Sequence, residues 1–249
     1  MSGHNKWSTI KHKKAKTDAV KGKAFTKVAR EIFAAVKEGG SDPEGNSRLR
    51  LAIENAKKVN MPKDNIKNAI QRGNKEGANL EDVIYEGYAP CGVAVLIITM
   101  TDNRNRTVTE IRSAFNKNGG SMGDSGCVSW MFQKRGLITI NDGKTTEDKI
   151  FDFVIDAGAE DIISQSDGSI EIRTSVESFE AVRKAIETNK IEIEDSEIAY
   201  LPTTTLAIND LESATKVLKT IEKLEEIDDV QDVYANFEIP DEILEKVAE

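Results

Sequence analysis

The chain has 249 residues, 39% hydrophobic and 31% charged, which allows one large or two to three small domains with buried cores and excludes a disordered polymer. Its longest apolar run, residues 93–98, falls far short of the roughly 20 residues that a membrane-spanning helix needs. The net charge of −9 conceals an asymmetry: residues 1–75 hold 18 Lys/Arg against 7 Asp/Glu, whereas residues 76–249 hold 16 against 36. A basic segment joined to an acidic remainder predicts a polyanion partner for the basic part.

Residues 1–16 carry Lys6, Lys11, Lys13, Lys14 and Lys16 with no apolar period, and read as an arm that orders on binding. From Thr17 a helix is signalled by Phe25, Val28, Ala29, Ile32 and Val36, and Gly39 and Gly40 end the run. Lys23, Lys27 and Arg30 fall on its opposite face. A second helix over 46–59 buries Leu49, Ile53 and Ala56. Pro62 opens a third, which carries Ile66 and Ile70 and has Gly73 just past its end. Residues 73–79 read as a linker.

Strands follow at 83–88 and 93–100, around the turn Ala89, Pro90, Cys91, Gly92, then a helix at 105–118 and a strand at 128–132. Next come strand 137–140, helix 146–157, strands 161–165 and 169–174, helix 176–188 and strand 197–201, a β-α-β-β-α-β order. Strand 204–208, helix 210–224 and strand 230–237 complete a second such unit with residues 93–132. The expected fold class is α+β. A three-helix N-terminal domain (1–78) is followed by two ferredoxin-like α/β domains, one (135–202) inserted in the other (79–134 plus 203–249).

Nine of the first 30 residues are Lys or Arg, against one acid, Asp18. Lys6, Lys11, Lys13, Lys14, Lys16, Lys21, Lys23, Lys27 and Arg30 are therefore the candidate phosphate contacts, because cations release counterions from nucleic acid. A membrane-surface helix uses the same pattern, but the apolar residues here are needed by the neighbouring helices. Trp7 suits base stacking and anchoring of the arm equally. His4 and His12 read as solvated. Arg104 and Arg106 lie beside a helix N-terminus that Asp102 or Asn103 caps, so a second phosphate contact and a plain turn are both open. Residues 119–123, Gly-rich, lack the Lys-Ser/Thr of a phosphate loop and read as a helix stop. Val128, Trp130 and Phe132 alternate on one strand face and read as core against helix 105–118. Cys91 and Cys127 are lone thiols, which with the absence of an apolar leader fit a reducing cytoplasm. No nucleophile motif or ligand spacing stands out, so no enzyme activity, metal, cofactor, small-molecule substrate or membrane partner is expected.

Several stretches together resemble one family. They are residues 1–7 (Met1, Ser2, Gly3, His4, Asn5, Lys6, Trp7), 23–27 with Arg30, Glu31 and Ile32, and Asn60, Met61, Pro62. The others are residues 85–88 (Tyr-Glu-Gly-Tyr), 101–106 (Thr-Asp-Asn-Arg-Asn-Arg) and 126–132 (Gly-Cys-Val-Ser-Trp-Met-Phe). This set resembles the YebC/PmpR family, with departures at Asn5, Cys91 and Cys127. The resemblance implies a three-domain, DNA-binding transcriptional regulator. It also implies an alternative, a translation factor on ribosomal RNA or the ribosome that relieves stalling at proline-rich stretches, since mitochondrial relatives are translational activators.

Overall fold

A computed structural model of the chain describes residues 18–74, 80–165 and 168–248. Three helices come first: α1 (Asp18–Gly39), α2 (Ser47–Lys58) and α3 (Lys63–Gly73). Their apolar stripes meet in one core that includes Ile32, Val36, Leu49, Ala56, Ile66 and Ala69. Asn46, itself buried, builds the corner between α1 and α2. Its Oδ1 accepts from the Leu49 amide at 3.0 Å, while its Nδ2 donates to the carbonyls of Ala35 (2.7 Å) and Gly40 (2.8 Å). One side chain thus starts a helix and satisfies carbonyls at the end of the preceding one. Gly73, expected beyond α3, is instead its last residue. A Cβ there would lie 2.7 Å from Val36 Cβ, so the close approach of α3 to α1 requires the glycine.

An α/β part follows, with β1 (Glu81–Tyr88), β2 (Ala94–Thr101), α4 (Arg104–Lys117) and β3 (Ser121–Met122). The chain then runs through β4 (Phe132–Ile140), α5 (Glu147–Asp156), β5 (Ala159–Ser164), β6 (Ile170–Thr174), α6 (Phe179–Thr188) and β7 (Asp195–Pro202). It closes with β8 (Leu206–Ala207), α7 (Leu211–Glu225), β9 (Val230–Ala235), β10 (Phe237–Glu238) and α8 (Asp241–Ala248). Two compact units result: Trp130–Thr205, and a second that joins Leu206–Glu249 to the residues before Trp130.

In the Trp130–Thr205 unit the four strands are ordered β5-β6-β4-β7, all antiparallel. The β-α-β-β-α-β sequence of elements appears in the order expected for 137–201. Ile138, Ile140 and Ile172 from the sheet and Ile150, Val154, Phe179, Val182 and Ile186 from the two helices are all buried.

The second unit departs from expectation. Its sheet is ordered β3-β1-β2-β9: β1 pairs with β2, as strands flanking a hairpin-like turn should, whereas the expected strand at 204–208 is not part of this sheet. A hairpin closed by residues 89–93 brings β1 to β2 at little loop cost, with Tyr88 opposite Ala94. Only Leu206–Ala207 is extended in the later segment, and it pairs with β10 in a separate two-stranded parallel sheet. The expected strand over 128–132 is also absent: Ser129–Met131 is a 3-10 turn and β4 begins at Phe132. The reason is Glu86, a buried residue of β1. Its carboxylate accepts from the amides of Gly126, Val128 and Ser129, each at 2.7 Å, so those donors are spent on a side chain rather than a ladder. Burial alone would raise the Glu86 pKa, but these amides and the Ser129 hydroxyl hold it below the usual carboxylate value. Trp130, expected in the core, is 68% exposed, whereas Val128 and Phe132 are buried. In the turn, Trp130 no longer alternates with them.

One face of the sheet packs on α4 and α7. Tyr85, Val95, Ile97 and Val233 meet Ile111, Phe115, Val217, Leu218 and Ile221 there.

Candidate nucleic-acid interface

Lys23, Lys27 and Arg30 share a face of α1, as their spacing implies. That face meets the loop between α7 and β9. Lys23 Nζ donates to the Glu226 carbonyl at 3.0 Å and Lys27 Nζ to the Gln231 carbonyl at 3.2 Å. The Glu226 carbonyl lies at the C-terminal end of α7, where carbonyls are unsatisfied and a cation is favoured. Arg30 donates to the Asp228 carbonyl and, at 3.0 Å, to Asp229 Oδ1.

Asp229 is the centre of this contact. Its side chain is 3% exposed, and Oδ2 accepts from Arg106 (2.6 Å), Thr107 Oγ1 (2.7 Å) and Thr101 Oγ1 (3.2 Å). Burial pushes its pKa up, yet the Arg106 and Thr107 hydrogen bonds and the two guanidinium charges hold it below the ordinary aspartate value. Two candidates far apart in sequence, Arg30 and Arg106, therefore converge on one carboxylate. Arg106 also pairs with Asp102 at 2.8 Å, and these partners raise its pKa further. Asn103 is the α4 cap, accepting from the Arg106 amide at 3.1 Å. Arg104 pairs with Glu81 at 2.6 Å and does not join the Asp229 cluster. A further tie is made by Arg48 of α2, which is bonded to Glu31 and Glu38 of α1 and reaches Asp82 of β1 at 3.5 Å. Burial lowers its pKa, but its carboxylate partners raise it more.

In this arrangement Lys23, Lys27, Arg30 and Arg106 bind protein groups and hold the helices to the α/β part. Lys6, Trp7, Lys11, Lys13, Lys14 and Lys16 lie outside the described residues. So does the side chain of Lys21, whose backbone is part of α1.

A second cationic surface was missed in the sequence. Residues 55–75 hold six Lys/Arg against one acid, Asp64. Lys57 and Lys58 end α2, and a four-residue turn leads to α3. Along α3 the exposed stripe reads Lys63, Lys67, Gln71, Asp64, Asn68 and Arg72 around the helix, opposite buried Ile66 and Ala69. Lys and Arg donate to guanine edges and phosphates, and Asn and Gln pair with adenine edges, so the stripe has the residue types of a base-reading helix. Its signal was the Lys63–Lys67–Gln71 spacing at i, i+4, i+8.

No helix among the described residues is long and apolar enough to cross a membrane. Residues 5–76 match the family model described as the TACO1/YebC protein N-terminal domain, and residues 80–237 match that of the TACO1/YebC second and third domain. A probable transcriptional regulatory protein of Persephonella marina is 50% identical, with all of both chains covered. One of Sulfurihydrogenibium sp. is 52% identical over 99% of each. The crystal structure of a conserved hypothetical protein of Aquifex aeolicus, Aq1575, superposes with a TM-score of 0.83 at 49% identity, covering 94% of this chain and 97% of that one. With both family models together spanning nearly the whole sequence, the chain belongs to the TACO1/YebC family.

Proposed function

We propose that this chain is a non-enzymatic regulator of gene expression that binds DNA through its helical domain (1–78), with residues 135–202 as a ferredoxin-like domain inserted between 79–134 and 203–249. The observation that carries the reading is the exposed stripe of Lys63, Lys67, Asn68, Gln71 and Arg72 on α3. It follows α2 and a four-residue turn, the layout of a helix-turn-helix reader. The names of the relatives, probable transcriptional regulatory proteins, support the same role. In this reading Asn68, Gln71 and Arg72 face base edges, while Lys57, Lys58, Lys63, Lys67 and the lysines of residues 6–21 neutralise phosphates. Lys23, Lys27 and Arg30 hold the domain in place.

Fluorescence anisotropy of a labelled 20-base-pair duplex against a salt series tests this. Lys63→Ala/Lys67→Ala should flatten the slope of log affinity on log salt by about 0.9 per lost phosphate contact, whatever the duplex sequence. Asn68→Ala/Gln71→Ala should instead narrow the preference between duplexes and leave the slope alone. An unchanged slope in the lysine variant sinks the role of α3. Preference for single-stranded RNA, with RNase-sensitive co-sedimentation with ribosomes, would replace the DNA reading by the translational alternative.

A further inference from the structure

The helix α5 buries Ile150 and Val154. A different stripe faces outward: Asp148, Phe151, Asp152, Ile155 and Asp156, spaced i, i+3, i+4, i+7, i+8 and so on one side of the helix. Phe151 is 49% and Ile155 39% exposed, two of the five large apolar side chains exposed among the described residues. Among those residues, none of the three aspartate side chains makes a hydrogen bond or an ion pair. A single exposed isoleucine needs no explanation. An exposed Phe–Ile pair interleaved with three uncompensated carboxylates does.

Asp148, in the first turn, suits the helix dipole, but the stripe as a whole works against the helix that carries it. Like charges at i, i+4 destabilise a helix, and Asp148, Asp152 and Asp156 place two such pairs in sequence. Asp156 also sits at the C-terminal end, where the helix dipole disfavours an anion. A sequence that keeps a locally unfavourable pattern without an internal partner points to an external one. The surrounding unit strengthens the same field, since residues 130–205 hold 8 Lys/Arg against 16 Asp/Glu. Nucleic acid is repelled by such a surface.

We infer that this face of α5 is a docking site for a lysine- or arginine-rich amphipathic helix of a partner protein, whose apolar side chains cover Phe151 and Ile155 while its cations pair with the three aspartates. The site is separate from the nucleic-acid surface proposed above and does not rest on it. The partner's charge sets recognition and association rate, and the Phe–Ile pair sets residence.

The test uses the full chain and a fluorescein-labelled 15-residue amphipathic Lys/Leu peptide as probe, read by anisotropy. Binding should weaken as salt rises. Phe151→Ser/Ile155→Ser should weaken it at least about tenfold. Asp148→Asn/Asp152→Asn/Asp156→Asn, which preserves helix shape, should weaken it and flatten its salt dependence. Circular dichroism melts of both variants confirm the fold, and the duplex titration should be unchanged in both. Loss of duplex binding in the wild type with peptide binding intact would overturn only the DNA reading. The docking site is overturned if both variants bind the peptide like the wild type, or if a Lys/Ser peptide without apolar residues binds as tightly. It is equally overturned if the wild type dimerises in sedimentation equilibrium and Phe151→Ser/Ile155→Ser abolishes the dimer, which assigns the face to a second copy.

Discussion

Replacing Asp229 by alanine removes the acceptor on which both parts of the second unit depend. Four donors lose a partner: the guanidinium groups of Arg30 and Arg106 and the hydroxyls of Thr101 and Thr107. The arginines keep access to water, with side chains 23% and 43% exposed, so losing the Asp229 bond costs Arg30 only about 1 kcal/mol rather than the full cost of a stranded buried charge. Thr107 retains the Asn103 carbonyl at 3.1 Å and Thr101 the Thr107 hydroxyl at 2.8 Å, so neither hydroxyl is stranded and their two lost bonds add about 1 kcal/mol. The sum is about 2 kcal/mol. Asp229→Asn keeps an acceptor oxygen and should lose about half of that. Urea unfolding followed by circular dichroism at pH 7 measures both, and a cycle with Arg30→Ala isolates the contact between α1 and the loop, expected at about 1 kcal/mol. A loss below about 0.5 kcal/mol for Asp229→Ala, or zero coupling to Arg30, would refute the view that this carboxylate joins the helices to the sheet.

Glu86 supplies a pH dependence. Its folded pKa is depressed, so its contribution is complete above the unfolded value of about 4.3 and disappears as pH falls through the lower folded value. Acid unfolding of Glu86→Gln should lose that component, and its stability at pH 7 should drop by about 2 kcal/mol as the three amides lose a charged acceptor. Maleimide labelling at pH 8 should be biphasic. Cys91 is exposed and reacts first, while burial and the nearby Glu86 charge push the Cys127 thiol up and slow it; Cys91→Ala should retain only the slow phase. Trp7 and Trp130 are the two tryptophans, so Trp7→Phe isolates the second. Acrylamide should quench its emission nearly as well as that of free tryptophanamide, and a shielded signal would contradict its exposure.

Periodicity carried most of the architecture. The spacing of Phe25, Ile32 and Val36 located α1, and the elements from 137 to 201 appear in their expected order because each buries one stripe against its neighbours. Misreadings arose where a side chain distant in sequence captured the backbone or a charge. Val128, Trp130 and Phe132 alternate like a strand, but Glu86, some 40 residues earlier, takes the amides that a strand would need. Lys23, Lys27 and Arg30 have the pattern of a solvated, phosphate-seeking face. Their carbonyl and carboxylate partners lie about 200 residues away, a proximity that helical spacing does not encode. The α3 stripe was legible in principle, yet its Lys, Asn and Gln residues are individually ordinary on a helix surface. Only knowing which side of α3 is buried collects them into one face.

The two ends of the Trp130–Thr205 unit are fastened together: Thr203 donates its amide (2.7 Å) and hydroxyl (3.0 Å) to the Met131 carbonyl, and Phe132 lies opposite Pro202. Once this unit is folded, some seventy residues of chain no longer contribute contour length between β2 and β9, which must pair from opposite sides of it. The connection from Thr101 to Val230 is thereby shortened to about 50 residues, little more than one halving, which removes roughly 0.8 kcal/mol of closure entropy. A folded inserted unit therefore lowers, by a modest amount, the entropy cost of pairing the two strands that flank it in sequence.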